Sequence, residues 1–260
     1  MPSLPEAAWL PYVLMSLASL SAGFFDAIVG GGGLIQIPAL LLLFPQLSPA
    51  AVLGTNKWIA ISGTTVAAWQ YAREGHVHWK TLRIPLVAAF VGSMIGAQLA
   101  VYLSASIMRP LVVVLLVAVW IYTWRRKELG LQQRAPLTRY HPELVASLIA
   151  LAVGMYDGFF GPGTGSFMMF GMTTLLGMDF LRATAHTKVL NANTNLAALL
   201  TFAGQGHVQW LLAVPFLLAN VLGGWVGSRL AMRRGSPFIR KFFLWAVAAI
   251  LARLVWDVWK

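Results

Sequence analysis

The sequence predicts an all-α polytopic membrane protein made of two inverted-topology repeats of about five segments each, with Gly-rich broken or hairpin helices. Three observations carry this reading. Of the 260 residues, 58% are hydrophobic and only 10% charged, with a mean hydropathy of +0.73, whereas soluble domains carry about 25% charged residues. Apolar stretches long enough to cross ~30 Å of hydrocarbon, about 20 residues each, recur from end to end. Finally, the chain repeats itself at a fixed offset of 131 residues.

The repeat sets the domain organisation. G-F-F-D-A-I-V-G-G-G-G (23–33) returns as G-M-Y-D-G-F-F-G-P-G-T (154–164). The offset places Asp157 on Asp26, Gly161 on Gly30, Gly163 on Gly32 and Lys188 on Lys57. It also places G-H-V-Q-W (206–210) on G-H-V-H-W (75–79), Gly223 and Gly227 on Gly92 and Gly96, and Arg240 on Arg109. Leucines align by chance among apolar helices; Asp, Lys, His and Arg do not share one register by chance. Residues 1–130 and 131–260 therefore read as two copies of one unit within a single integral membrane domain.

In order, the first copy predicts segments 8–29, a short 34–46, 50–72, 81–103 and 107–124. The second predicts 143–160, a short 165–177, 182–203, 209–230 and 241–257. Thirteen helical residues rise only ~20 Å, too little to cross the bilayer. Each short piece is expected to be one arm of a helical hairpin with its Gly-rich tip inside the membrane. Lys and Arg set the orientation: they fill loops 73–83, 125–141 and 231–241, which are expected to be cytoplasmic, and are absent from 1–8 and 204–208. Loop 73–83 and its counterpart 204–214 then face opposite sides, so the copies are inverted and both termini are periplasmic.

Composition also excludes classes. The net charge of +11 sits in short loops, where membrane topology accounts for it and nucleic-acid binding is not needed. The N-terminus has no basic region, and Pro2, Pro5 and Glu6 precede the first span, so a secretory signal peptide is not expected. With no cysteine there is no disulfide or thiolate site, and no His/Asp/Glu spacing resembles a metal site.

Inverted repeats with Gly/Pro-interrupted segments at matching positions point to a secondary transporter with its site at the repeat interface. Two hairpins from opposite faces would bring Gly30, Gly31, Gly32 and Gly33 toward Gly161, Gly163 and Gly165. The helices that begin there aim their first N–H groups at the centre, where an anion binds readily; tight helix packing is the plainer reading of the same glycines. Gln36, Thr164 and Ser166 accompany the tips. Lys57 and Lys188 lie well inside spans, in the polar surroundings L-G-T-N-K-W (53–58) and A-H-T-K-V-L-N-A-N-T-N (185–195). Intramembrane charge is costly and functional by default, although either lysine is near enough to a helix end to snorkel. With Asn56, His186, Asn191 and Asn195 they form the expected substrate-binding set. Asp26 and Asp157 are the only acids deep in spans; a proton-coupling role and a helix-break role are both open to them. His76 and His207 fall in surface turns.

These residues are where a resemblance enters. G-F-F-D-A-I-V-G-G-G-G-L-I-Q-I-P-A-L, T-N-K, Y-D-G-F-F-G-P-G-T-G-S-F and A-T-A-H-T-K-V-L-N-A-N-T-N are similar to the sulfite exporter TauE/SafE family, in its YfcA-like branch of bacterial inner-membrane proteins. The resemblance covers essentially the whole chain. It implies transport of sulfur oxyanions or organosulfonates, such as sulfite, sulfoacetate or thiosulfate. Export by alternating access is the expectation. Uptake, a channel, a carboxylate substrate, and a membrane-embedded enzyme using Asp157, His186 and Lys188 are the rivals. No cofactor is expected. The expected partners are the lipid bilayer, a small anion, a coupling proton and, as one option, a second copy of the chain.

Overall fold

The computed structural model describes residues 9–100, 121, 123–125, 129–136 and 141–258, with the backbone alone for 247 and 249–258. Among the described residues all regular structure is helical. The helices are α1 (Leu10–Val29), α2 (Gly33–Leu43), α3 (Pro49–Arg73), α4 (Trp79–Leu99), α5 (Pro142–Phe159), α6 (Thr164–Leu176), α7 (Phe180–Gly204) and α8 (Trp210–Val258). The expected span 107–124 falls almost wholly outside the described residues, as do Arg109, both chain ends and the loop cations Arg126, Lys127 and Arg139.

Four stretches are long and apolar enough to cross a membrane: Leu10–Val29, Trp79–Leu99, Pro142–Phe159 and Trp210–Ala246. Each turns an apolar stripe outward. On α4 it is Ile84, Val87, Val91 and Met94; on α8 it is Leu211, Val214, Leu218 and Leu222. This three-to-four spacing marks one helix face, and a continuous exposed apolar face needs lipid rather than water.

Helices α3 and α7 are different. At 25 residues each they are roughly 37 Å long, enough to span, but polar. They are wrapped by the others, and every residue from Ala183 to Asn191 is buried. Both start on a side-chain cap at the same repeat position: Ser48 Oγ accepts from Ala51 N–H at 3.2 Å, and Asp179 Oδ1 from Arg182 N–H at 3.0 Å. Such caps satisfy N–H groups that a helix start leaves free.

The two short helices fold back as hairpin arms. Gln36 of α2 donates to Ser19 of α1 at 3.0 Å, and Phe44 meets Tyr12 edge-on with ring centroids 5.6 Å apart. As α2 advances, its partners on α1 recede, so the two run antiparallel. In the second copy Phe167 of α6 meets Tyr156 of α5 at 5.4 Å, and Gly171 lies against Ile149.

Packing crosses between the copies. Helix α1 lies chiefly on α8, and α4 on α5. Glycines permit the close approach: a Cβ on Gly92 would strike the Leu151 carbonyl, and one on Gly223 the Leu20 carbonyl. Gly96 meets Met155 and Gly227 meets Phe24 in the same way, a usual way for membrane helices to pack.

The expected segments 209–230 and 241–257 are joined differently from the expected loop. Helix α8 continues through 231–241, interrupted at Gly235 with φ 69° and ψ −169°. A glycine at positive φ followed by Pro237 redirects a helix without a loop. Residues 129–136 dock on the junction of α6 and α7, where Arg134 N–H reaches the Gly177 carbonyl and Phe180 N–H the Gly130 carbonyl, both at 2.7 Å.

Candidate functional site

The site is built where the hairpins end. Helix α1 stops because Gly30 takes φ 78°, a left-handed conformation that glycine adopts freely, and its N–H closes on the Asp26 carbonyl at 2.8 Å. The second hairpin turns with Gly161 at φ 94° and Gly163 at φ 82°. The two tips abut. A Cβ on Gly30 would collide with Gly165 and the reverse holds, while a Cβ on Gly33 would sit 3.4 Å from the Pro162 Cα. Ser166 Oγ donates to the Val29 carbonyl at 2.8 Å and ties one tip to the other.

Around the tips lie four charges, Lys57, Lys188 and Asp157 buried and Asp26 half-buried, paired crosswise between the copies. Lys57 Nζ is 2.9 Å from Asp157 Oδ2, with side chains 2% and 3% exposed. Lys188 Nζ is 3.1 Å from Asp26 Oδ2, with side chains 0% and 15% exposed. Asp157 also lies within Coulombic range of Lys188. Lys188 donates in addition to the Asp26 main-chain carbonyl, the one that receives Gly30 N–H. Each carboxylate has a threonine: Thr164 Oγ1 is 2.8 Å from Asp157 Oδ1, and Thr64 Oγ1 is 3.1 Å from Asp26 Oδ2. Both hydroxyls share their single hydrogen with a local carbonyl, Gly161 and Ala60 respectively. Desolvating four charges is expensive, and mutual pairing offsets it only with good geometry.

The other expected residues divide. Asn56 is buried beside Lys57, and its Oδ1 has no hydrogen-bond partner among the described residues. Asn195 is buried, and Asn191 accepts from Thr194 within α7. Gln36 is spent inside its own hairpin on Ser19. His186 faces elsewhere: Nε2 accepts from His78 N–H at 3.0 Å, and Nδ1 lies 3.0 Å from the Arg182 carbonyl. The proton is thereby assigned to Nδ1. The repeat explains this, because Thr55, one repeat earlier, accepts from Gln209 N–H at 3.0 Å. Thr55 and His186 each hold the chain entering a long helix of the other copy.

Sequence reasoning missed Thr64, which is two turns past Lys57 on one face, a spacing that could have revealed it. It also missed Tyr71, whose hydroxyl donates to the Ala27 carbonyl at 3.1 Å, and Tyr156, whose hydroxyl donates to the Pro162 carbonyl. Neither tyrosine is repeated in the other copy, so the repeat gave no signal. Among the described residues no cluster of three His, Cys, Asp or Glu side chains could hold a metal ion.

Residues 15–254 match the family described as sulfite exporter TauE/SafE. The chain belongs to the sulfite exporter TauE/SafE family. Curated relatives carry the name "probable membrane transporter protein". ORF9 of Sinorhizobium sp. is 37% identical over 93% of this chain and 91% of its own length. YfcA of Escherichia coli strain K12 is 38% identical over 94% and 89%. A Haemophilus influenzae protein is 35% identical over 91% of each. No solved structure matches the chain. Family and relatives together mark this TauE/SafE protein as a multi-pass membrane protein of transporter type.

Proposed function

We propose that this protein is a secondary transporter of the bacterial inner membrane that exports a small sulfur oxyanion or organosulfonate by alternating access. The observation that carries the reading is the crossed pairing of two Lys–Asp couples, one buried and one with a half-buried aspartate, beside two abutting glycine tips. Charge buried inside a membrane protein is retained chiefly where something charged must pass. The lysines supply positive charge, and α2 and α6 point their N-termini at the tips, where Leu34, Ile35 and Thr164 N–H close on carbonyls of the tips themselves and would have to be released to an anion. An oxyanion accepts several such donors at once. With the tips touching and the lysines held by carboxylates, an anion gains them only as the hairpins part. Parting of the hairpins is the movement alternating access requires.

The contact pattern supports a pseudo-twofold pairing of the copies, since α1 on α8 is mirrored by α5 on α4. The sulfur chemistry rests on the family. A catalytic trio of Asp157, His186 and Lys188 is disfavoured, because both ring nitrogens of His186 are engaged by backbone.

The test is a thermal-shift screen of purified protein against sulfite, thiosulfate, sulfoacetate, acetate and malonate, followed by counterflow in proteoliposomes. Ligand at a hundred times Kd stabilises by about 2.7 kcal/mol, which corresponds to a shift of several degrees. Sulfur oxyanions are expected to shift the melting point and exchange across the membrane. Equal shifts from the carboxylates would replace the substrate class; no shift and no counterflow from any of the five would remove the reading.

A further inference from the structure

We infer that the protein moves a proton together with each anion and that Asp26 is its proton-binding site, an inference that rests on the anion-transport reading above. The central cluster is neutral as it stands, with two ammonium groups facing two carboxylates. A singly charged anion that engages Lys188 displaces Asp26 and would leave one uncompensated negative charge at the cluster, where such charge is costly. One proton on the displaced carboxylate cancels it. Lys57 and Asp157 then stay paired, Lys188 pairs with the anion, and Asp26 is neutral. The proton comes from the aqueous side and returns to it when the anion leaves. No other bond forms or breaks.

Geometry singles out Asp26 over its repeat mate. Asp157 is sealed, with its side chain 3% exposed, Oδ1 hydrogen-bonded to Thr164 and Oδ2 buried 2.9 Å from Lys57 Nζ in an ion pair that lacks hydrogen-bond geometry. Asp26 is 15% exposed, and both of its side-chain partners, Lys188 and Thr64, share Oδ2. Among the described residues Oδ1 of Asp26 receives no hydrogen bond, so one oxygen is free to take a proton while the other is still held.

The surrounding titratable groups are otherwise engaged. On α3, Lys57 holds Asp157 and the Tyr71 hydroxyl holds the Ala27 carbonyl; on α5, Tyr156 holds the Pro162 carbonyl; on α7, His186 is bound to backbone on both sides. Helices α2 and α6 carry no charged residue, and Arg229 of α8 is exposed on its own Trp225, 3.9 Å from the ring centroid.

The same event reaches the hairpin. Lys188 also holds the Asp26 main-chain carbonyl on which Gly30 closes α1. Drawing the lysine toward an anion therefore loosens the end of α1 at the tip that must leave Gly165.

The experiment uses proteoliposomes with trapped pyranine and outward gradients of methanesulfonate, sulfoacetate or thiosulfate, whose acids stay ionised across the assay range. For wild-type protein the expected result is internal alkalinisation, with one proton leaving per methanesulfonate. Anion flux without a pH change would overturn the inference and leave anion transport standing; absence of flux for all three anions would remove both. In Asp26→Asn, proton movement is expected to fall by about tenfold or more relative to whatever exchange of labelled for unlabelled anion the variant carries out. Proton movement retained in Asp26→Asn would overturn the assignment. Asp26→Glu keeps the ionisable group and should restore proton movement. Should Asp26→Asn fail to fold, the wild-type proton count and the Glu variant still decide.

Discussion

A lysine ammonium buried in a membrane protein is tolerable only while a carboxylate meets it, so the two couples make sharp predictions. Removing one partner of a buried pair costs about 3–5 kcal/mol, whereas replacing both by apolar groups is often near neutral. Lys57→Met should therefore sharply lower the melting temperature, and Lys57→Met with Asp157→Leu should recover most of the loss. Thermal unfolding of the three purified proteins checks it; equal destabilisation of the single and double variants would contradict the pair. The glycines separate by what surrounds them. Gly30→Ala meets both a left-handed φ of 78° and the Gly165 backbone, so it should destabilise. Gly33→Ala adds a Cβ in ordinary contact, 3.4 Å from Pro162, and should fold; several-fold weaker anion affinity in this variant is expected if the tip cradles the ligand. A valine at Gly32 is a poorer probe, because its Cβ would stand 2.8 Å from the Ala22 carbonyl. Much of this was legible beforehand. Lys57, Lys188, Asp26 and Asp157 stand out because each is a charge well inside a span and each recurs at the same offset. Which lysine meets which aspartate was not legible, since each pair joins different copies and only the fold brings them together. His186 misled for the same reason: its partner is a backbone N–H, which leaves no mark in the sequence.

At the scale of elements, the helix bounds were legible to within a few residues, because hydropathy and Gly/Pro punctuation coincide with true ends. The hairpins were legible from length alone, 11 and 13 residues being too short to cross. The abrupt break at Gly235, with helix running up to it on both sides, was not, because Arg233 and Arg234 beside Gly235 and Pro237 read as a charged turn, and a kink and a turn share those residues. The packing partners of α4 and α8 were also beyond the sequence, although their glycine pairs were visible. Those pairs can now be tested together. Gly96→Val would drive a side chain into the Met155 carbonyl, and Gly227→Val into that of Phe24. Overpacking of this kind costs about 1–3 kcal/mol or more. Both variants should lose thermal stability to a similar degree, whereas Gly204→Val, with nothing within 4 Å of its Cβ, should lose much less. A Gly96→Val protein as stable as wild type would mean that α4 does not pack on α5 as described.

For the whole molecule, topology is the decisive claim, and the chain is well suited to test it because it has no native cysteine. Single substitutions His76→Cys and His207→Cys should react with a membrane-impermeant maleimide from opposite sides of the cell membrane. Labelling of both from one side would rule out inverted copies. The crossed pairing of Lys57 with Asp157 and Lys188 with Asp26 also bears on how such a chain is made. Lys57 leaves the ribosome 100 residues ahead of Asp157, and Asp26 162 residues ahead of Lys188, which is roughly 5–32 s at typical elongation rates. During that interval the first half sits in the bilayer with its ions unmatched, and the cell's quality-control proteases meet an orphan. Neither half should accumulate when synthesised alone. Split at the linker and expressed from two genes, the halves should protect one another from degradation, as the subunits of a heterodimer do. A single-copy ancestor would have met the same requirement only by pairing head-to-tail with another molecule of itself.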